Sequence, residues 1–222
     1  MKYNKKIKAL ILDFDGTLLN SFNKSVKKHQ ELAEALDLRV PRKSEFRKAW
    51  LKGLPMREMI KKFWPENYKL FRQEYSKIYH KFKYRSFPGV IETLNKLKRD
   101  CLLIIASSRP NDHFYKRAEE AKIDLKIFFE IQLLEDTPYQ KPDHRIYNRI
   151  LKKLEKRRIK KQNVVCVGDT LADYEAARGA GLNFVGVLTG AATKKDFLKA
   201  GLSPRDIVQS VYNLPRYLNL YL

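Results

Sequence analysis

Five short apolar runs, at residues 7–12, 102–106, 127–133, 164–167 and 184–187, constrain this chain more than any other feature. Each has strand length and is mostly apolar, so each reads as a strand buried on both faces. Patterns of helical period lie between the later runs. Val90, Ile91, Leu94 and Leu97 make one apolar face, and Ile146, Ile150 and Leu154 make another. Doubly buried strands alternating with helices predict a parallel sheet covered on both sides. Right-handed crossovers then make it an α/β, Rossmann-like, doubly wound sheet. A chain of 222 residues has room for one such domain and a smaller insertion.

The insertion is placed by the one stretch without a strand signal. Residues 18–85 carry helical stripes instead, such as Phe71, Tyr75, Ile78, Tyr79 and Phe82. We read 18–85 as an inserted α-helical cap whose aromatics form a small core of their own. Residues 1–17 and 86–222 then form the α/β core domain, and Pro88-Gly89 marks the return of the chain to it.

Composition removes several classes. An aromatic content of 12% argues against disorder. Only two cysteines occur, Cys101 and Cys166, each in or beside an apolar run, which excludes a disulfide framework or structural zinc site and points to a reducing compartment. No run approaches the roughly 18 apolar residues of a membrane span. The basic N-terminus leads into a run too short for an export signal, so the expected location is cytoplasmic, with no membrane partner. The four histidines, His29, His80, His113 and His144, show no metal-ligand spacing and read as structural or surface residues.

Charge is the unusual part: 46 Lys and Arg against 25 Asp and Glu give a net +21. Such a surplus attracts phosphorylated metabolites or nucleic acid, or it is simply the composition of a lysine-rich lineage. Much of it precedes predicted strands: Lys5, Lys6 and Lys8, then Lys98 and Arg99, Lys122 and Lys126, and Lys156-Arg157-Arg158-Ile159-Lys160-Lys161. In a parallel sheet all these segments meet at one edge, so we expect a basic collar there, with weak nonspecific polyanion binding. Whether the chain is a monomer or a dimer stays open.

The strand ends carry the chemistry. Asp13 and Asp15, in Asp13-Phe14-Asp15-Gly16-Thr17, follow the first run and share one side of an extended chain. Two acids so close need a cation between them or a proton on one of them. The second run ends in Ser107-Ser108-Arg109, a hydroxyl with backbone donors that suits an anion. Lys141-Pro142 is expected to open the next helix, which would set Lys141 at a positive helix terminus. The fourth run ends in Gly168-Asp169, with Asp173 four residues on. Hard oxygen ligands of this kind fit magnesium better than zinc.

Acid pair, hydroxyl, lysine and acid pair in this order resemble the haloacid dehalogenase superfamily, over essentially the whole chain. Phe87-Pro88-Gly89-Val90, Gly53-Leu54-Pro55-Met56-Arg57-Glu58, Ala176-Ala177-Arg178 and Val187-Leu188-Thr189-Gly190 are similar to its phosphoglycolate-phosphatase-like branch. Three positions depart from the pattern: His144 replaces a proline, Ser108 a common Asn, and Asn20 a common acid. The resemblance implies a phosphatase that hydrolyses a small phosphorylated metabolite through an aspartyl phosphate. Asp13 would be the nucleophile and Asp15 the acid and base, with Ser107, Ser108 and Lys141 holding the phosphate. Mg2+ would sit on Asp13, Asp169 and the Asp15 carbonyl, with Asp173 in support. Arg57 and then Lys52, in the cap, would bind a distal anionic group. A sugar phosphomutase (beta-phosphoglucomutase-like) and a basic nucleic-acid-binding protein on a phosphatase scaffold remain alternatives.

Overall fold

A computed structural model describes residues 7–79 and 82–218; Lys5, Lys6 and His80 lie outside them. In chain order the elements are β1 Ala9–Leu12, α1 Phe22–Ala35, α2 Lys43–Leu51, α3 Met56–Phe63, α4 Tyr68–Ile78, α5 Val90–Leu97, β2 Leu102–Ala106 and α6 Asn111–Glu120. There follow β3 Phe128–Gln132, α7 Asn148–Lys156, β4 Val164–Gly168, α8 Leu171–Gly179, β5 Asn183–Val187, α9 Lys194–Lys199, β6 Ile207–Val208 and α10 Leu214–Tyr217. The strands form a single sheet in the order β3-β2-β1-β4-β5-β6, with every pairing parallel.

Alternation within the strands explains the layers. Ala9 and Ile11 of β1, Ile104 and Ala106 of β2, and Val164 and Cys166 of β4 face one side, packed with Ile150 and Leu154 of α7, Ala176 and Ala177 of α8, and Phe197 of α9. Leu10, Leu12, Leu103, Ile105, Val165 and Val167 face the other, against Val90, Leu94 and Leu97 of α5, Phe114 and Ala118 of α6, and Leu214 of α10. The α5 face is narrower than the sequence pattern suggests, because Ile91 points to solvent at 37% exposure. β6 has only two residues, too few to leave a periodic signal.

Helices α1 to α4 are inserted between β1 and α5 on a two-stranded stem. Leu19 bridges Ser86, Phe87 N–H donates to the Leu18 carbonyl at 3.1 Å, and Asn20 N–H to that of Arg85 at 2.9 Å. Inside this bundle the Trp64 and Phe71 rings stack at 3.9 Å, and His29, wholly buried, lies 4.6 Å from the Tyr75 ring.

One local expectation is overturned. No helix opens at Lys141-Pro142; that peptide bond is cis, and a short 3-10 turn at His144–Tyr147 precedes α7. The N-terminal cap is Asp143, whose carboxylate accepts from Arg145 N–H at 2.9 Å. An Asx cap captures the first free donor of a helix, and that sets its start two residues after the proline. Lys141 therefore sits in a loop and not at a helix terminus.

Candidate active site

β1 is central, and the chain leaves it on one side through β2 and β3 and on the other through β4, β5 and β6. The crevice where strand order reverses is where open α/β sheets bind ligands. Asp13 follows β1 and Asp169 follows β4, so one carboxylate stands on each side of that crevice. Asp13 N–H still donates to the Val167 carbonyl at 2.9 Å, which keeps the turn in register with its neighbour strand.

Lys141 joins the cluster from the loop. Its Nζ lies 2.6 Å from Asp13 Oδ1, 2.6 Å from Asp173 Oδ1 and 2.7 Å from the Ala106 carbonyl. All three of its donor directions are used, and the two carboxylates hold its ammonium charged despite burial. Asp173 is held in turn by the start of α8. Its Oδ2 accepts from Thr170 N–H at 3.1 Å and from the Thr170 hydroxyl, while Asp173 N–H donates back to Thr170 Oγ1 at 3.1 Å. This reciprocal cap fixes Oδ2 of Asp173, and Lys141 engages its Oδ1.

Asp169 is completely buried. It accepts from Ala191 N–H at 2.9 Å and from the Thr17 hydroxyl at 3.3 Å. Gly190 is required beside it, since a Cβ there would fall 1.7 Å from Asp169 Oδ2. Burial, then the negative charges of Asp13 and Asp173, push the Asp169 carboxyl well above its ordinary range. Asp13 is pushed up to about 7, by burial first and against the pull of Lys141. Oxygens of Asp13, Asp169 and Asp173 lie within 4.8 Å of one another. Asp173 is engaged by Lys141 and Thr170, Asp169 by Ala191 and Thr17, and Asp13 through Oδ1 by Lys141, and each carboxylate keeps further lone pairs. Crowded, desolvated carboxylates with spare lone pairs fit a hard divalent cation such as Mg2+.

Asp15 has a different partner. Arg109 clamps its carboxylate with both Nε, at 2.7 Å, and Nη2, and Arg109 Nη1 reaches the Tyr79 hydroxyl at 3.0 Å. Burial would raise the Asp15 carboxyl, but the guanidinium outweighs it and holds the group below its usual range. Ser107 is buried at the end of β2, and its hydroxyl accepts from Arg109 N–H at 3.2 Å.

The geometry thus gathers Asp13, Lys141, Asp169 and Asp173 at one point, with Asp15 and Ser107 alongside. Ser108, Lys52 and Arg57 are exposed and stand outside this network. Their segment nonetheless meets the core: a Cβ on Gly53 would lie 2.7 Å from Ala172 Cβ and 3.0 Å from the Lys141 carbonyl oxygen. The sequence placed Tyr79 in the core of the inserted helices and gave no site role to it, to Arg109 or to Thr170. Only Thr170 left a signal, the Thr-x-x-Asp spacing of a capping box.

A parallel doubly wound sheet with carboxylates at its switch point defines a class of α/β enzymes, and the comparisons narrow it. The family described as haloacid dehalogenase-like hydrolase matches residues 10–187, and the chain belongs to this family of hydrolases. It is 29% identical over 195 residues, 82% of each chain, to a protein of Caldanaerobacter subterraneus named as a pyrophosphatase, PpaX. Its structure is similar to one from Haemophilus somnus described as a phosphoglycolate phosphatase, with a TM-score of 0.78, 20% identity, and 96% and 98% of the two chains covered. It is also similar to a beta-phosphoglucomutase structure from Thermotoga maritima, with a TM-score of 0.72, 23% identity, and 97% and 100% covered. At such identities these structures speak for the fold alone. Among the described residues no helix is long and apolar enough to cross a membrane.

Proposed function

We propose that the chain is a Mg2+-dependent phosphomonoesterase that releases phosphate from a small phosphorylated metabolite through an aspartyl phosphate on Asp13. The observation that carries this reading is the contact of Lys141 Nζ with Asp13 at 2.6 Å, at the switch point and opposite Asp169. A carboxylate held beside a fixed ammonium, facing a second carboxylate, suits attack on a phosphoryl group.

Asp13 attacks phosphorus as the bond to the leaving oxygen breaks. Asp15, which Arg109 holds as the carboxylate, must first take up a proton; it gives that proton to the leaving oxygen and later takes one from the water that cleaves the aspartyl phosphate, work typically worth about 10²–10⁴-fold. Lys141 and the Ser107 hydroxyl hold the phosphoryl oxygens where charge gathers, helped by the backbone N–H groups of Phe14 and Ser108. Asp173 orients Lys141. Asp13, Asp169 and the Asp15 carbonyl would hold Mg2+, which when bound neutralises charge on the phosphoryl group. Residues 18–85 act as a cap over the site, with Arg57, Lys52 and the Gly53 loop facing the substrate.

Phosphate release across a panel of phosphorylated metabolites, with Mg2+ and with EDTA, tests this reading. Mg2+-dependent release from at least one member is expected. No release from any member overturns it. Isomerisation of a sugar phosphate in place of release would establish a mutase.

A further inference from the structure

The loop from β5 to α9 grips Asp169, and it does so through two successive peptide units. Ala191 N–H donates to Asp169 Oδ2 at 2.9 Å, and Ala192 N–H donates to the Asp169 carbonyl at 2.9 Å. Side chain and backbone of one residue are thus held by neighbouring amides of one loop. There is no slack between them, since even a Cβ on Gly190 would overlap Asp169 Oδ2. A shift of this loop therefore moves the carboxylate with it. The loop is also tied to the turn after β1, because the Thr189 hydroxyl donates to the Gly16 carbonyl at 2.6 Å.

A side chain from the inserted helices holds this loop in turn. Arg47 of α2 donates from Nη1 to the Ala191 carbonyl at 3.3 Å and to Asp196 Oδ2 at 2.6 Å. The Ala191 carbonyl and the Ala192 N–H belong to one planar peptide unit. Arg47 thus grips one end of the unit whose other end grips Asp169, and a charged donor on the carbonyl polarises that N–H. Asp196 is a fixed anchor at the start of α9. Its Oδ2 accepts from Thr193 N–H at 2.8 Å and from the Thr193 hydroxyl at 2.6 Å, and Asp196 N–H donates back to Thr193 Oγ1 at 3.3 Å. Only 34% of the Arg47 side chain and 22% of that of Asp196 are exposed, so salt screens this pair less than an open surface pair.

We propose that Arg47 is a positioning residue for the metal site: through the peptide between Ala191 and Ala192 it sets Asp169 in the geometry that holds Mg2+. This rests on the assignment of Asp169 to Mg2+ in the phosphatase reading, and adds to it a contribution from the inserted helices. The sign of the effect separates positioning from plain electrostatics. A nearby cation repels Mg2+, so on charge alone the loss of Arg47 tightens binding. The loss of a positioning contact weakens it.

The test reads ion binding on the full chain without substrate. Mn2+, which takes the same hard oxygen ligands, is titrated through the electron spin resonance signal of the free ion, with Mg2+ as competitor. Asp169→Asn should abolish the titrated site, and a site that survives it overturns the proposal. Arg47→Gln should weaken both ions about three- to tenfold, less than the 10–100-fold typical of a group bonded directly to a metal ligand. The double variant Arg47→Gln with Asp196→Asn should bind no more weakly than Arg47→Gln alone, because both changes release one loop. If charge alone acted, Arg47→Gln would bind more tightly and the double variant would return to the wild type; either result overturns the proposal. So does unchanged affinity with a lower melting temperature, which would limit Arg47 to stability. If Arg47→Gln fails to fold, Asp196→Asn takes its place. Its weakening relative to wild type should persist at about 0.5 M KCl, where an effect of charge across solvent is screened, and its disappearance there overturns the proposal. A wild type that binds Mn2+ and Mg2+ but releases no phosphate removes the phosphatase reading and leaves this test standing. A wild type that binds neither ion overturns both.

Discussion

The strand-end edge of the sheet and the interior of the inserted helices α1 to α4 both bury ionisable groups, and they compensate them differently. At the edge, Asp13, Asp169, Asp173 and Lys141 are packed together and remain polar, each held by strand-end backbone or by the start of α8. In those helices, His29 and Lys28 are surrounded by aromatic rings, and burial drives both toward neutrality. His29 is pushed down to about 4 and Lys28 to about 7. Burial pushes Asp13 and Asp169 up at the edge as well, but Lys141 offsets part of that at Asp13 and is itself held charged by the carboxylates, whereas the surroundings of His29 and Lys28 are mostly side-chain rings.

The sharpest way to break this comparison is to remove charge at the edge. Asp13→Asn should leave the fold intact and reduce Mg2+-dependent phosphate release below about 1% of wild type. A variant that keeps more than this would remove Asp13 as nucleophile, since steady-state turnover reads that step directly.

The inserted helices should answer to acid instead. The folded-state value of His29 lies below the ordinary 6.5, so the unfolded chain binds the proton more readily. Stability from this residue is complete above about pH 6.5 and is lost as pH falls toward 4, by about 3 kcal/mol in all. Thermal melts across that window, wild type against His29→Leu, should show the acid-dependent loss in the wild type alone. Parallel curves would mean that water reaches the ring.

A smaller effect sharpens the contrast between buried and exposed cationic side chains. Arg57 is exposed at the start of α3. Arg57→Ala should raise KM by about two- to fivefold for a substrate with a second anionic group, and less for ethyl phosphate, because Coulomb attraction across solvent is weak. Equal changes on both would limit Arg57 to supporting the cap.

The smallest effect is expected at the other edge. Arg157 and Arg158 follow α7 and Lys160 and Lys161 precede β4, a full strand length from Asp169. Arg157 lies 4.5 Å over the Phe129 ring, and Lys161 donates to the Ala180 carbonyl at 2.9 Å. Replacing these four by Gln should weaken retention on immobilised nucleic acid at low salt, with turnover unchanged. Wild-type protein that shows no salt-dependent retention would leave the collar without a polyanion partner.

Sequence alone determined the layered α/β architecture, because a strand buried on both faces is mostly apolar, even where β3 buries Glu130 and Gln132, and a helix between such strands must be apolar at every third or fourth position. It also determined which chemical groups stand at the strand ends, since an acid directly after an apolar run has nowhere else to go. Helix starts were legible only where the capping residue was read correctly; Asp143, and not Pro142, starts the turn before α7. Tertiary structure decided the partnerships. Lys141 and Asp13 are 128 residues apart and Arg109 and Asp15 are 94 apart, and no local pattern encodes either pair. The strand order brings them together, and strand order follows from how the whole set of apolar faces is buried at once.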